Sequence, residues 1–481
     1  MDDALHLLGG GVGNLAAYLA AHVLLCLVPA FFIAGAMAAL IPKASITRWL
    51  GRNTPAYVSY PAAAAAGSLL AVCSCTIVPL FGGIYRKGAG VGPAITFLFF
   101  APAGNIMALA YTGSVLGIEF AMARFLLCLL FGMGIGLLMA MLFWRDDATH
   151  DAQTDALFAE KASVGPAATG LLLSMVALLI AGTLKLWPLT ITVATLTLPL
   201  GWAEAWQATL FGWVPFDAAK GEEGVTFQGS MLILLLLTIA MTAWKGLEDI
   251  IEGANRWTWV TLGLTASTLL VAALRFTPQP GGLELAITGR FFGVAAGLWA
   301  VWYYANALDV NDRQAWLWEA WRFVKQIFGL LVVGVFIVGV VRQLIRPEWI
   351  ETLAGTNSVT ANMVAVVFGV FMYFPTLIEV PVAKMFLDLG MHPGPLLAYL
   401  MADPELSLQS ILMVIAVIGR KKTFSYVGLV ALFSVTAGLL YGSWVDGMSA
   451  TRLVMSMGVF VAALGTLLFA LHRRQSSALG S

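Results

Sequence analysis

Apolar runs of roughly 20 residues recur along most of the chain, each long enough to cross the hydrocarbon core of a bilayer as a helix. Spans are expected near 14–41, 59–82, 91–113, 115–143, 167–186, 229–246, 257–275, 286–306, 323–345, 360–385, 392–417, 423–443 and 450–471. Polar breaks fall at 144–166, "WRDDATHDAQTDALFAEKASVGP", and at 307–321, "ALDVNDRQAWLWEAW". A third break, 187–228, carries Trp187, Trp202, Trp206 and Trp213, and two placements are open to them: a membrane interface, where Trp concentrates, or packed core.

Beneath this pattern lies a repeat. "FIAGAMAALIP" at 32–42 answers "FIVGVVRQLIRP" at 336–347. From Gly67 onward one offset (381 − 79 = 302) pairs Gly67 with Gly369, Val78-Pro79 with Val380-Pro381, Gly88 with Gly390 and Gly92-Pro93 with Gly394-Pro395. It also pairs Pro102 with Pro404, Gly117 with Gly419 and Gly136 with Gly438. Matched prolines and glycines carry weight because each fixes a backbone feature. Residues ~27–140 and ~331–442 therefore read as two copies of one unit. The expected organisation is a first transmembrane repeat (1–143), a connecting region with about four helices (144–322), a second repeat (323–443) and a terminal helix and tail (444–481).

The loop "GSVLGIEF" of copy one answers the basic "VIGRKKTF" of copy two, which places them on opposite sides and points to inverted copies. The even number of spans between the copies points to parallel ones. Inversion is the expectation here, with one apolar run either miscounted as a span or re-entrant.

Composition agrees with a membrane protein. Hydrophobic residues make up 60% and charged ones 11%, against about a quarter charged in soluble domains, and mean hydropathy is +0.88. The fold class is all-α: a polytopic transmembrane helical bundle with two internal repeats and broken helices. Lys plus Arg equals Asp plus Glu at 26 each, which gives no electrostatic case for a nucleic-acid partner. The acidic start is read as a retained first span rather than a signal peptide. No phosphate loop occurs and no motif calls for a cofactor, so a carrier is expected rather than an ATP-driven pump or an enzyme.

Candidate chemistry gathers at the paired prolines. A proline within a helix frees the carbonyl four residues earlier, and in lipid that group needs a partner. Pro79, Pro102, Pro381 and Pro404 are therefore expected to mark unwound backbone lining a cavity, with simple packing kinks as the alternative. In "VCSCTIVP" the thiols of Cys73 and Cys75 share a face only if the backbone is extended. A break just before Pro79 would let them act as soft ligands for a metal(loid), with Ser74 and Thr76 beside them. Packing cysteines are the plain alternative.

Copy two has Pro375 and Leu377 in place of the thiols and offers Glu379 instead. A carboxylate in a span marks an ion or substrate path, and Glu379 is the candidate proton-coupling group unless Lys384 pairs with it structurally. Asp403 and Glu405 flank Pro404 and are expected near a membrane surface. Asn105 and Thr376 are further polar candidates for the cavity wall. Arg124 and Arg290 are read as structural counter-ions or snorkelling residues.

The blocks "CSCTIVPLFGGIYRKGAGVGPAITFLFFAPAGN" and "FPTLIEVPVAKMFLDLGMHPGPLLAYLMADPELS" resemble the two signature blocks of the predicted-permease family of ArsP type. The best-understood members of that family export trivalent organoarsenicals from bacteria. The resemblance covers both repeats and leaves 144–322 outside it. It implies a multi-pass permease of the bacterial inner membrane, driven by the proton gradient, with a thiophilic small solute as cargo. It points to Cys73, Cys75, Pro79, Pro102 and the run from Phe374 to Pro381. Family membership fixes a permease better than it fixes the cargo. Two other functions stay open: a permease for an unrelated solute with packing cysteines, and a thiol–disulfide conduit using Cys73 and Cys75. Oligomeric state is not readable.

Overall fold

The computed structural model describes residues 2–21, 23–41, 43–69, 74–149, 164–183, 187–214, 216–217, 222–344, 348–371 and 379–479. The first helices are α1 (Asp2–Ala21), α2 (Val28–Leu40, entered through a π-turn at Val23–Leu27), α3 (Lys43–Leu50), α4 (Ala56–Leu69) and α5 (Ser74–Arg86). Next come α6 (Val91–Ala103), α7 (Ile106–Val115), α8 (Ile118–Leu142), α9 (Pro166–Thr183) and the single turn α10 (Trp187–Thr190). Strand β1 (Thr192–Leu198) and α11 (Ala203–Trp213) precede the two-residue strands β2 (Phe216–Asp217) and β3 (Glu222–Glu223). Then follow α12 (Phe227–Leu247), α13 (Arg256–Ala273), β4 (Arg275–Gln279), β5 (Gly282–Thr288), α14 (Gly289–Asn306) and α15 (Val310–Arg342). The chain closes with α16 (Glu348–Ala354), α17 (Val359–Phe371), α18 (Glu379–Asp388), α19 (Pro393–Leu406), α20 (Leu408–Ile418), α21 (Arg420–Val445) and α22 (Ala450–Leu479).

The protein is thus a polytopic helical bundle, 82% helix. Among the described residues eight helices are long and apolar enough to cross a membrane, or nine if α19 and α20, bent by 46°, form one span. Thirteen runs were anticipated. Within runs 59–82 and 360–385 the described residues form α4 with α5 and α17 with α18, none of them long enough to cross alone. Run 286–306 opens inside a strand rather than a helix.

That strand is the second departure from an all-helical chain. "TVATLTL" at 192–198 alternates β-branched and aliphatic residues between Pro188 and Pro199, and it pairs antiparallel with β5 in a sheet ordered β1-β5-β4. Trp187, Trp202, Trp206 and Trp213 of this region are all exposed, as an interfacial placement requires and packed core does not.

The chain divides into two compact units, one of residues 1–42, 82–84 and 161–340, the other of 43–81, 85–160 and 341–481. In the first, Leu24, Leu178, Leu232, Leu269 and Val294 form a core cluster. Gly35 lets α2 approach the backbone of α15 at Ala320, and the Trp316 indole donates to the Phe32 carbonyl at 2.9 Å. The same unit holds a cavity of about 290 Å³, apolar along most of its wall, with Arg313 and Gln314 on its lining.

In the second unit α6 packs against α4 and α8, and α19 packs against α17 and α21. Both pairings depend on bare glycine. A methyl on Gly92 would overlap Tyr60 and approach the Gly136 carbonyl, and one on Gly394 would overlap Asn357 and approach the Gly438 carbonyl. Gly117 (φ 101°) and Gly419 (φ 82°) stand directly before α8 and α21 and turn the chain into them.

Candidate functional site

Two of the four prolines sit beside breaks and Pro79 does not. Helix α5 runs unbroken from Ser74 to Arg86 through Pro79, so the break expected just before Pro79 is not there. One lost hydrogen bond, to the Cys75 carbonyl, is tolerated where Ile77, Val78, Leu80 and Phe81 are all buried against neighbours. Pro381 is the third residue of α18, which begins at Glu379. Pro102 and Pro404 lie in the last turns of α6 and α19, and the chain breaks just after them, at Gly104-Asn105 and at Ser407.

Cys73, Pro375 and Thr376 lie outside the described residues, as do the side chains of Ser74 and Cys75, whose backbone opens α5. Thr76 follows them, fully buried. Asn105 is buried as well, but its carboxamide is committed. The oxygen accepts from Ala108 N at 2.7 Å as the cap of α7, and the amide donates to the Pro102 carbonyl at 3.1 Å. This satisfies both sides of the α6/α7 break.

The break at α6/α7 and the start of α18 converge on Arg124 of α8. Arg124 and Glu379 are both 0% exposed, and Nη2 donates to Glu379 Oε1 at 2.6 Å. Nη1 donates to Thr112 Oγ1 at 3.1 Å, and Nε donates to the Ala103 carbonyl at 3.2 Å. Ala103 ends α6, so its carbonyl has no partner within the helix and meets a cation at the negative end of the helix dipole. The Cys128 thiol, one turn along α8, points to the same carbonyl at 3.6 Å. Arg124 is thus the counter-ion of the site and not a snorkelling residue. Lys384, the partner proposed for Glu379, pairs instead with Asp388 at the surface.

Asp403 and Glu405 are a second correction. Both are buried, flanking Pro404 in the last turn of α19, and neither faces out of the second unit. Tyr426 Oη of α21 donates to Glu405 Oε2 at 2.5 Å. Neither Thr112 nor Tyr426 stands out in the sequence. The signal for Tyr426 was available, since it stands at the same offset from Arg124 as the paired prolines (426 − 124 = 302).

Away from this centre, Glu248 ends α12 with a carboxylate that accepts from Lys325 Nζ at 2.7 Å and from the Trp321 indole at 2.7 Å. The hydrogen bond from Lys325, then that from Trp321, holds the Glu248 carboxyl below the usual carboxylate range.

A polytopic bundle with broken helices around a buried ion pair is the architecture of a membrane transport protein. The chain belongs to the ArsP_1 family, described as predicted permease, whose sequence model matches residues 10–443. It is similar to UPF0718 protein MJ0584 of Methanocaldococcus jannaschii, with 32% identity over 446 residues, 92% of this chain and 98% of that protein. No solved structure matches it.

Proposed function

We propose that this permease is a secondary transporter that exports a small thiophilic solute, a trivalent organoarsenical or another soft metal(loid) species, across the inner membrane in exchange for protons. The observation that carries a coupling role is the fully buried Arg124–Glu379 pair, set where the α6/α7 break meets α18. A proton arriving on Glu379 would cancel the attraction that holds the start of α18 to α8. Arg124 would keep its bonds to Ala103 and Thr112, so the change falls on α18 alone.

The soft-solute part rests on the sequence "CSC" at 73–75. Two thiols and a dihydroxy-arsenic(III) species such as methylarsenite join through two As–S bonds, and both thiol protons leave in the two waters released. The two-repeat reading draws support from paired local features. Gly88 and Gly390 share φ 90°, and Asn105 and Ser407, at the same offset, directly precede α7 and α20.

The test is methylarsenite uptake into everted vesicles. Wild type is expected to accumulate it when the interior is acidified, Cys73→Ser/Cys75→Ser to lose at least tenfold in rate, and Glu379→Gln to lose the dependence on the gradient. Wild-type uptake by the double cysteine variant would refute the ligand role, and unchanged gradient dependence in Glu379→Gln would refute the coupling role.

A further inference from the structure

Glu405, a buried carboxylate of the second unit, meets no cation among the described residues. Glu405 takes one hydrogen bond, from Tyr426 Oη to Oε2, and its Oε1 has no hydrogen-bond partner among the described residues. The buried guanidinium of Arg124 bonds Ala103, Thr112 and Glu379 among the described residues.

The comparison between the two halves sharpens this. Arg124 and Tyr426 occupy paired positions on α8 and α21, and each bonds the residue 21 positions before it. In the first half a guanidinium meets the carbonyl of Ala103. In the second half a phenol meets the carboxyl of Glu405. The position that supplies a positive charge in one half supplies a neutral donor in the other, on the half that carries the acid.

The other titratable groups on helices packed against α19 do not fill the gap. Glu379 of α18 is itself an acid already paired with Arg124. On α8 the remaining groups are Cys128, which bonds the Ala103 carbonyl, and exposed Glu119. Lys384 and Asp388 of α18 pair with each other at the surface. On α21, Arg420 and Lys421 are exposed, Lys422 donates to Tyr85, and Tyr441 lies near the far end. Asp403 is the other acid on α19 itself. Helices α6, α17 and α20 carry no titratable side chain.

Burying an ionised carboxylate without a cation costs more than one phenol hydrogen bond returns, and such a group takes up a proton instead. We propose that Glu405 is a second proton-binding site of the core, occupied in the state seen here, while Glu379 stays ionised against Arg124. A proton bound from water forms one O–H bond on Glu405 and leaves Arg124, Glu379 and Glu405 with no net charge together. The site lies two residues before Ser407, where α19 gives way to α20 at the 46° bend, so loading or emptying it changes the charge at a break in the chain. The inference deepens the proton-coupled reading above, but its test does not depend on transport.

The test is infrared spectroscopy of the purified full-length protein at neutral pH, read at the C=O stretch of a protonated carboxyl. Wild type is expected to show this band. Glu405→Gln should remove it, while Glu379→Gln and Asp403→Asn leave it in place. Tyr426→Phe should move it to higher frequency, since the acid loses its hydrogen bond, and this variant decides the matter if Glu405→Gln fails to fold. An unchanged band in Glu405→Gln, loss of the band in Glu379→Gln or Asp403→Asn, or no shift in Tyr426→Phe would each overturn the proposal. A band that behaves as expected in a protein that does not move methylarsenite would leave the proton site standing and remove the proposed cargo.

Discussion

Glu379→Gln tests the buried pair without changing shape. The amide keeps an oxygen where Oε1 accepts from Arg124 Nη2 at 2.6 Å, so the hydrogen bond survives and only the counter-charge is lost. Both side chains are 0% exposed, so water cannot screen the cation that remains. Removing one partner of a buried ion pair costs about 3–5 kcal/mol. At about 2 °C per kcal/mol for a unit of this size, the apparent melting temperature in detergent should fall by roughly 6–10 °C. Arg124→Met should cost a similar amount, because it also strips donors from the Ala103 carbonyl and from Thr112 Oγ1. The double variant removes both charges, and its loss should be smaller than the sum of the two single losses by at least ~2 kcal/mol. The measurement is a thermal unfolding series on wild type, both single variants and the double. Strictly additive losses, or a Glu379→Gln melting point within about 1 °C of wild type, would show that the pair does not act as a buried ion pair.

Asn105→Ala removes the cap of α7 and the donor to the Pro102 carbonyl together, and should destabilise the protein by about 1–2 kcal/mol, seen as a lower melting temperature and reduced monodispersity after extraction. Glu248 gives a pH-dependent test. Its carboxyl is held below the ordinary range when folded, so its contribution is present above the unfolded value, near about 4.3, and is lost as pH falls through the folded value. The melting-temperature gap between wild type and Glu248→Gln should therefore close as pH is lowered below about 4, and it should be small throughout, under about 1 kcal/mol, because the group is partly exposed. A gap that widens in acid would contradict the assignment.

The membrane class was plain in the chain because lipid demands long apolar runs, and no soluble surface could be built from what remained. The breaks after Pro102 and Pro404 were legible to within a few residues. The break expected just before Pro79 was not there, because a helix tolerates a proline at the loss of one hydrogen bond where its neighbours are packed. Glu379 was identifiable because an acid in an apolar run is costly. Its partner was not, since Arg124 lies 255 positions away and only the fold brings them together. Lys384, close in sequence, was the natural but wrong choice: on a helix it faces Asp388, four residues on. The strand at 192–198 was hidden by its tryptophan-rich surroundings, although its alternation and β-branched residues are the usual signal.

The central claim is that the buried charges couple protons to a soft solute, and proton movement driven by the solute alone tests it most directly. Purified protein would be reconstituted into liposomes loaded with methylarsenite and a lumenal pH dye, then diluted into solute-free buffer of equal pH. Exchange predicts that solute leaving the lumen draws protons in, so the lumen acidifies for wild type and not for Glu379→Gln. Methylarsenite efflux by wild type with no change in lumenal pH would contradict the account.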